Sequence, residues 1–312
     1  MQSSSGSTST THTRHVPVLL QEVLKVLNIQ KDDTVLDGTL GGGGHAHTFA
    51  HRLTAKGKLI GFDVDSAAVE RTRKKLKGVS PTVVLIHDTF RNVKSQLADL
   101  NTKVDVAFFD LGWSSDQLEV SGRGFSFDRD EPLTMTLRDD INDSTLTAAE
   151  IVNTWDEEHI ADIIYGWGEE RASRKIARAI IEARKNREIS TTGELVDIIT
   201  SVLPRKGKRN PATKTFQALR IAVNDELGAL QDILSVLPDI THNGARVAFL
   251  TFHSLEDKLV KDAFRAWERE GKGRRIIKKP LSATAVEVGH NPRSRSAKLR
   301  AFTFTHYANN TK

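Results

Sequence analysis

Apolar residues recur at helical spacing over residues 16–29, where Val18, Leu19, Val23, Val26 and Leu27 share one face. After that stretch the pattern switches repeatedly between short apolar runs and amphipathic segments. Thr34–Asp37, Lys58–Asp63, Thr82–His87 and Val104–Asp110 read as strands. His45–Leu53, Ser66–Leu76 and Val93–Leu100 read as the helices between them. Strand–helix alternation at this spacing predicts a doubly wound, parallel α/β sheet. The rhythm breaks over residues 113–145, a loop-like stretch that contains Gly122, Gly124 and Pro132. Helical periodicity returns in Thr147–Thr154, Glu157–Tyr165, Glu169–Asn186 and Thr192–Leu203, followed by the basic loop Pro204–Pro211. A long helix Thr215–Leu237, a strand Ala245–Thr251, a helix Leu255–Glu268 and a last strand Leu299–His306 complete the pattern. The predicted architecture is a sheet domain of residues 15–120 and 214–312, with a helical domain of residues 121–213 inserted after the fourth strand. Residues 1–14 are Ser/Thr-rich without an apolar core, which predicts a disordered tail and not a secretory signal.

Composition narrows the chemistry. The 312 residues contain no cysteine, so disulfides and thiolate metal sites are excluded. No apolar run reaches the roughly 18 residues that span a bilayer, and a cytoplasmic protein without membrane contact is expected. The charge is unevenly spread. Residues 171–220 and 258–300 each hold 13 Lys/Arg against 4 Asp/Glu, which leaves the remainder of the chain acidic. Two separate basic segments with Gly- and Pro-containing loops point to a polyanionic partner.

Candidate chemistry sits at the strand ends. Asp37 closes the first strand, and a turn rich in glycine, Gly38 to Gly44, runs into a helix at His45. Four consecutive glycines allow sharp turning and close approach of backbone to a ligand. The stretch also satisfies a G-x-G-x-x-A dinucleotide pattern. Asp63 ends the second strand, where an acid accepts both hydroxyls of a ribose. Loop plus acid indicates a nucleoside cofactor without separating NAD from S-adenosylmethionine. Phe90 follows the third strand, either stacked on the adenine or packed in the core. Asp110-Leu111-Gly112-Trp113 follows the fourth. Its polar–small–aromatic order is that of amino-group methyltransferases, in which the polar group accepts amine hydrogens and the aromatic stacks on an extruded base. Asp110 and Trp113 are therefore the candidate catalytic pair. Carbon-5 methylation of a pyrimidine needs a Cys nucleophile, so the missing thiol favours a nitrogen or oxygen acceptor. His45, His47 and His51 do not form a metal set at helical spacing, and no metal is expected. His253, in Phe252-His253-Ser254-Leu255-Glu256-Asp257, reaches the same sheet edge; a lone His there is more often structural.

These motifs, together with Gly124-Phe125-Ser126-Phe127, Gly168-Glu169-Glu170-Arg171, Thr215-Phe216-Gln217-Ala218-Leu219-Arg220-Ile221 and the run Asn291 to Arg300, resemble the ribosomal RNA small-subunit methyltransferase H family over nearly the whole chain. The resemblance implies a Rossmann-like methyltransferase fold, S-adenosylmethionine as cofactor, and N4-methylation of a cytidine in the decoding region of 16S rRNA. It implies cofactor contacts at Gly43, Gly44 and His45, at Asp63 with the ribose, at Phe90 with the adenine, and at Asp110 and Gln117 near the methionine. Gln117 enters through the resemblance alone. The helical insertion corresponds to the part thought to hold RNA, either 16S rRNA or the small ribosomal subunit. The chain departs from the family at Trp113 (usually Val), at Asp116 (usually Pro), and at Thr134 and Thr136, which stand where the family has Asp and Arg. Two other readings stay open on the residues: a nucleotide-binding dehydrogenase, and a non-catalytic RNA-binding assembly factor.

Overall fold

A computed structural model describes residues 17–112, 122–127, 129–204 and 210–305. After the amphipathic helix α1 (Leu20–Leu27), the chain alternates β1 (Thr34–Asp37), α2 (Gly44–Ala50), β2 (Lys58–Asp63), α3 (Ser66–Lys75), β3 (Thr82–His87), α4 (Val93–Asp99) and β4 (Val104–Asp110). Strands β1 to β4 pair in parallel in the order β3-β2-β1-β4. The chain thus builds outward from β1 to β3, then returns to the other side of β1. That reversal opens a crevice at the carboxyl ends of β1 and β4, the usual ligand position in open α/β sheets.

Four helices follow among the described residues: α5 (Ala148–Thr154), α6 (Glu157–Gly166), α7 (Ser173–Arg184) and α8 (Thr192–Val202). Capping fixes their starts. Thr147, Asp156 and Thr191 each accept a backbone N–H of the first turn, and Thr191 forms a reciprocal box with Glu194. The stretch expected as one long helix is two, α9 (Thr213–Asn224) and α10 (Glu226–Ile240). Asp225 breaks it with a left-handed conformation, φ 45°. Its carboxylate is held by Arg91 Nη2 at 2.6 Å, a contact far away in sequence that periodicity does not register. Strand β5 (Thr241–Thr251) then pairs in parallel with β4. Helix α11 (Ser254–Arg269), two short strands β6 (Gly273–Arg275) and β7 (Leu281–Ser282), and helix α12 (Ala285–His290) lead to β8 (Lys298–Phe304), which is antiparallel to β5.

Each sheet face has its own apolar layer. Phe62, Phe109 and Phe249 pack against Leu230, Ile233 and Leu237 of α10 and Phe264 of α11. On the other face Val35, Phe108 and Leu250 meet Val23 and Leu27 of α1 and Phe49 of α2. A third core joins α5 to α8 with Phe216, Leu219 and Ala222 of α9. The face of α9 that periodicity marks as apolar therefore serves the helical cluster, and α9 links that cluster to the sheet through α10.

One buried ion pair locks α11 onto β8. Arg300 donates from Nε and Nη2 to the Asp257 carboxylate at 2.6 and 3.1 Å, and Lys298 adds a contact at 3.2 Å. Removing one partner of a buried pair leaves the other charge stranded. Arg300→Ala is expected to cost about 2–4 kcal/mol of unfolding free energy, with Lys298 offsetting part of the loss. Urea unfolding measures it; a change within experimental error would mean that the pair contributes nothing to the fold.

Candidate active site

The loop between β1 and α2 is stitched to the strands on either side. Gly38 N–H donates to the Phe108 carbonyl at 2.8 Å and Leu40 N–H to the Phe62 carbonyl at 3.0 Å. Thr39 Oγ1 accepts from Asp110 N–H at 2.6 Å, so the end of β4 is tied to the glycine turn. Gly43 caps α2 at φ 73°, where an added Cβ would lie 2.7 Å from Thr72 Oγ1. A side chain there is excluded by both conformation and space. At Gly44 the obstacle is Pro17, 2.5 Å from an added Cβ.

Asp63 sits over this turn. Its Oδ2 accepts from Gly41 N–H at 2.7 Å and its Oδ1 from Asp65 N–H at 2.9 Å. Burial pushes its carboxyl up to about 6, against the two backbone donors that favour the charge. Each carboxylate oxygen has a second lone pair, so two hydroxyl donors fit without breaking the existing bonds. Beneath the turn, Asp37 is fully buried and its Oδ2 has no hydrogen-bond partner among the described residues. Burial drives its pKa well above the ordinary carboxylate value, and the charges of Asp110 and Asp63 add to this.

Asp110, at the end of β4, faces the crevice with its side chain about a quarter exposed (23%). Burial pushes it up to about 7; Arg293 opposes the shift and Glu256 adds to it. His45 is packed beside it, Nδ1 3.6 Å from Asp110 Oδ2. The other ring nitrogen contacts the Val18 carbonyl at 3.1 Å. A carbonyl only accepts, so Nε2 carries the proton. Phe90 lines the crevice and meets Phe109 edge-on, centroids 5.7 Å apart. It packs in the core and also borders the crevice.

The crevice has a volume of about 1450 Å³. That exceeds the roughly 300–1,000 Å³ of ordinary small-molecule pockets and leaves room for a cofactor and a second group. Of the expected cofactor residues, Gly44, His45, Asp63, Phe90 and Asp110 line it. Gly43 is not on its wall; it shapes the turn from behind. Trp113, Asp116 and Gln117 lie outside the described residues.

A model of the MraW methylase family matches residues 12–305. The chain belongs to this family. A ribosomal RNA small subunit methyltransferase H from Dictyoglomus thermophilum is 41% identical over 288 residues, covering 92% of this chain and 95% of that protein. The protein of the same description from Koribacter versatilis is 43% identical over 295 residues, with 92% and 93% covered. That of Clostridioides difficile is 39% identical over 305 residues, with 92% and 97% covered.

In this methylase the departures at Thr134 and Thr136 have a local account. Thr134 Oγ1 donates to the Arg123 carbonyl at 2.8 Å, and Thr136 Oγ1 accepts from Arg138 N–H at 3.2 Å. Both hydroxyls hold the 123–138 loop in shape. Asn224 fastens that loop to α9, accepting from Leu137 N–H at 2.7 Å and donating to the Met135 carbonyl at 2.8 Å.

A charged group lining the same crevice as Asp110 escaped the sequence reading. Arg220 donates to both oxygens of Glu226 at 2.7 and 2.9 Å. Glu226, His253 and Glu256 bring potential ligand atoms within 4.8 Å of one another. Their convergence depends on the break at Asp225, which turns Glu226 back toward Arg220. Only the His253–Glu256 spacing was a legible signal, and it reads first as a helix cap.

Proposed function

We propose that this methylase transfers the methyl group of S-adenosylmethionine to N4 of a cytidine in the decoding region of 16S rRNA. The observation that carries the reading is the pair of acids at the ends of β2 and β4, the two strands that flank β1: Asp63 over the glycine turn and Asp110 facing the same crevice. When bound, S-adenosylmethionine supplies an electrophilic methyl on a sulfonium. Asp63 would accept the ribose hydroxyls, Phe90 would border the adenine, and Gly44 and His45 would form the wall between them, with Gly43 shaping the turn from behind. Asp110 and Gln117 would lie toward the methionine end.

The cytosine amine is a weak nucleophile because its lone pair is delocalised into the ring. Positioning must supply much of the rate. In this reading Asp110 accepts an amine hydrogen, aims the nitrogen and takes up charge as the proton leaves, while Trp113 stacks on the base. The tie from Thr39 Oγ1 to the Asp110 backbone holds that carboxylate at a fixed distance from the glycine turn.

We place the RNA on the helical part, residues 121–213 in the sequence division, in the cytoplasm where small subunits assemble. Helix α7 carries Arg174, Lys175 and Arg178 exposed to solvent. Transfer of labelled methyl to unmodified small subunits tests the reading, with naked 16S rRNA compared in parallel. Binding of the RNA is expected to weaken at least tenfold between about 50 and 200 mM salt, the mark of several phosphate contacts. Affinity that holds constant over that range would remove the phosphate contacts from the account.

A further inference from the structure

His253 is a buried polar group on the crevice wall that the reading above does not use. It caps α11: Nδ1 accepts the Glu256 N–H at 3.5 Å, and Glu256 Oε2 accepts the N–H groups of Phe252 and His253 at 2.7 and 3.3 Å. The cap fixes the tautomer. With Nδ1 accepting, the proton of the neutral ring resides on Nε2. That N–H lies 3.2 Å from Glu256 Oε1, off line, and has no hydrogen-bond partner among the described residues. The side chain is only 9% exposed. A buried donor whose nearest acceptor is off line has hydrogen-bonding capacity left over for a ligand.

His253 borders the same crevice as Asp110. The two strand ends are joined, since Leu111 N–H donates to the Leu250 carbonyl at 3.0 Å, and Phe252 lies against Gly112. A carboxylate and an N–H donor therefore border one crevice from the ends of adjacent strands β4 and β5. The edge of cytosine presents a donor amine next to an acceptor ring nitrogen. Uracil presents an acceptor and a donor in those positions.

We propose that His253 donates a hydrogen bond from Nε2 to ring nitrogen 3 of the acceptor cytosine while Asp110 accepts from its amine. This deepens the proposed function and rests on it. The neutral tautomer matters: a full proton on nitrogen 3 would draw the amine lone pair further into the ring. By holding Nδ1 as an acceptor, the cap leaves Nε2 as the ring's donor. A cation held by Glu226, His253 and Glu256 is the competing use of these side chains. It is disfavoured because Nε2 bears the proton and both Glu226 oxygens are engaged by Arg220.

The test pairs His253→Asn with 3-deazacytidine placed at the target position of 16S rRNA in reconstituted subunits. Asn presents an acceptor where Nδ1 stands, so the cap persists, and it lacks the distal donor. S-adenosylmethionine affinity and melting temperature are expected to stay at wild-type values. With cytidine the variant should lose about 10- to 100-fold in kcat/KM, the range for one unpaired buried hydrogen bond. Wild type should lose a similar factor on 3-deazacytidine, and the variant should lose nothing further. Wild type that methylates both bases equally would overturn the proposal whether or not the variant folds. So would losses that multiply in the doubly altered pair, or one equivalent of Mn2+ bound by wild type and not by the variant. If wild type transfers nothing to cytidine, the parent reading fails first.

Discussion

Asp110→Ala is expected to lower kcat for methyl transfer by roughly 10³-fold, a larger effect than the loss of S-adenosylmethionine affinity that follows from its place toward the methionine end. The reason is positional. Asp110 is the carboxylate at the end of β4 that faces the crevice, and the Thr39 contact to its backbone survives the substitution. Single-turnover transfer and calorimetric cofactor binding separate the two effects. Full turnover in the variant would remove Asp110 from the chemistry. The pH profile gives a second reading. Only the ionised carboxylate accepts an amine hydrogen with both oxygens, and burial has raised its pKa to about 7. Activity should therefore rise with pH through that region and level off above it. The bound sulfonium favours the charged form, so the inflection in kcat should fall below that in kcat/KM.

Asp63→Ala is expected to weaken S-adenosylmethionine binding by about 100-fold or more. The acid is set to receive two hydroxyl hydrogen bonds, each worth about 1.5–3 kcal/mol to a charged acceptor. It also holds the Gly41 amide, so the substitution loosens the glycine turn itself. Calorimetric titration reads the loss directly. Because burial raises Asp63 to about 6, affinity in the wild-type protein should fall as pH drops through that value. The sign follows from the ligand: a protonated carboxyl has lost acceptor capacity. An unchanged dissociation constant in the alanine variant would place the ribose elsewhere.

The sheet was legible because its signals are local. Short apolar runs ending in Asp37, Asp63 and Asp110 mark β1, β2 and β4, and they also mark where the acids emerge. The glycine turn was legible for the same reason, although its division of labour was not. Which glycine lines the crevice depends on Thr72 and Pro17, and neither is implied by the motif. The break at Asp225 was hidden because apolar periodicity runs through it and Gly228, packed against the Asp225 carboxylate, lies inside the next helix and not at the break. The Asp225 carboxylate there is held by Arg91, from the turn after β3 that packs on the same sheet face. The cluster of Arg220, Glu226, His253 and Glu256 was hidden with it. His253 looked structural in the sequence, and as a cap it is; its second nitrogen becomes visible only when the crevice is in place.

The most direct measurement is nucleoside mass spectrometry of 16S rRNA from unmodified small subunits incubated with the protein and isotopically labelled S-adenosylmethionine. The account predicts label in N4-methylcytidine from the decoding region and no label when Asp110 is alanine. Label in another nucleoside, or none despite tight cofactor binding, would contradict it.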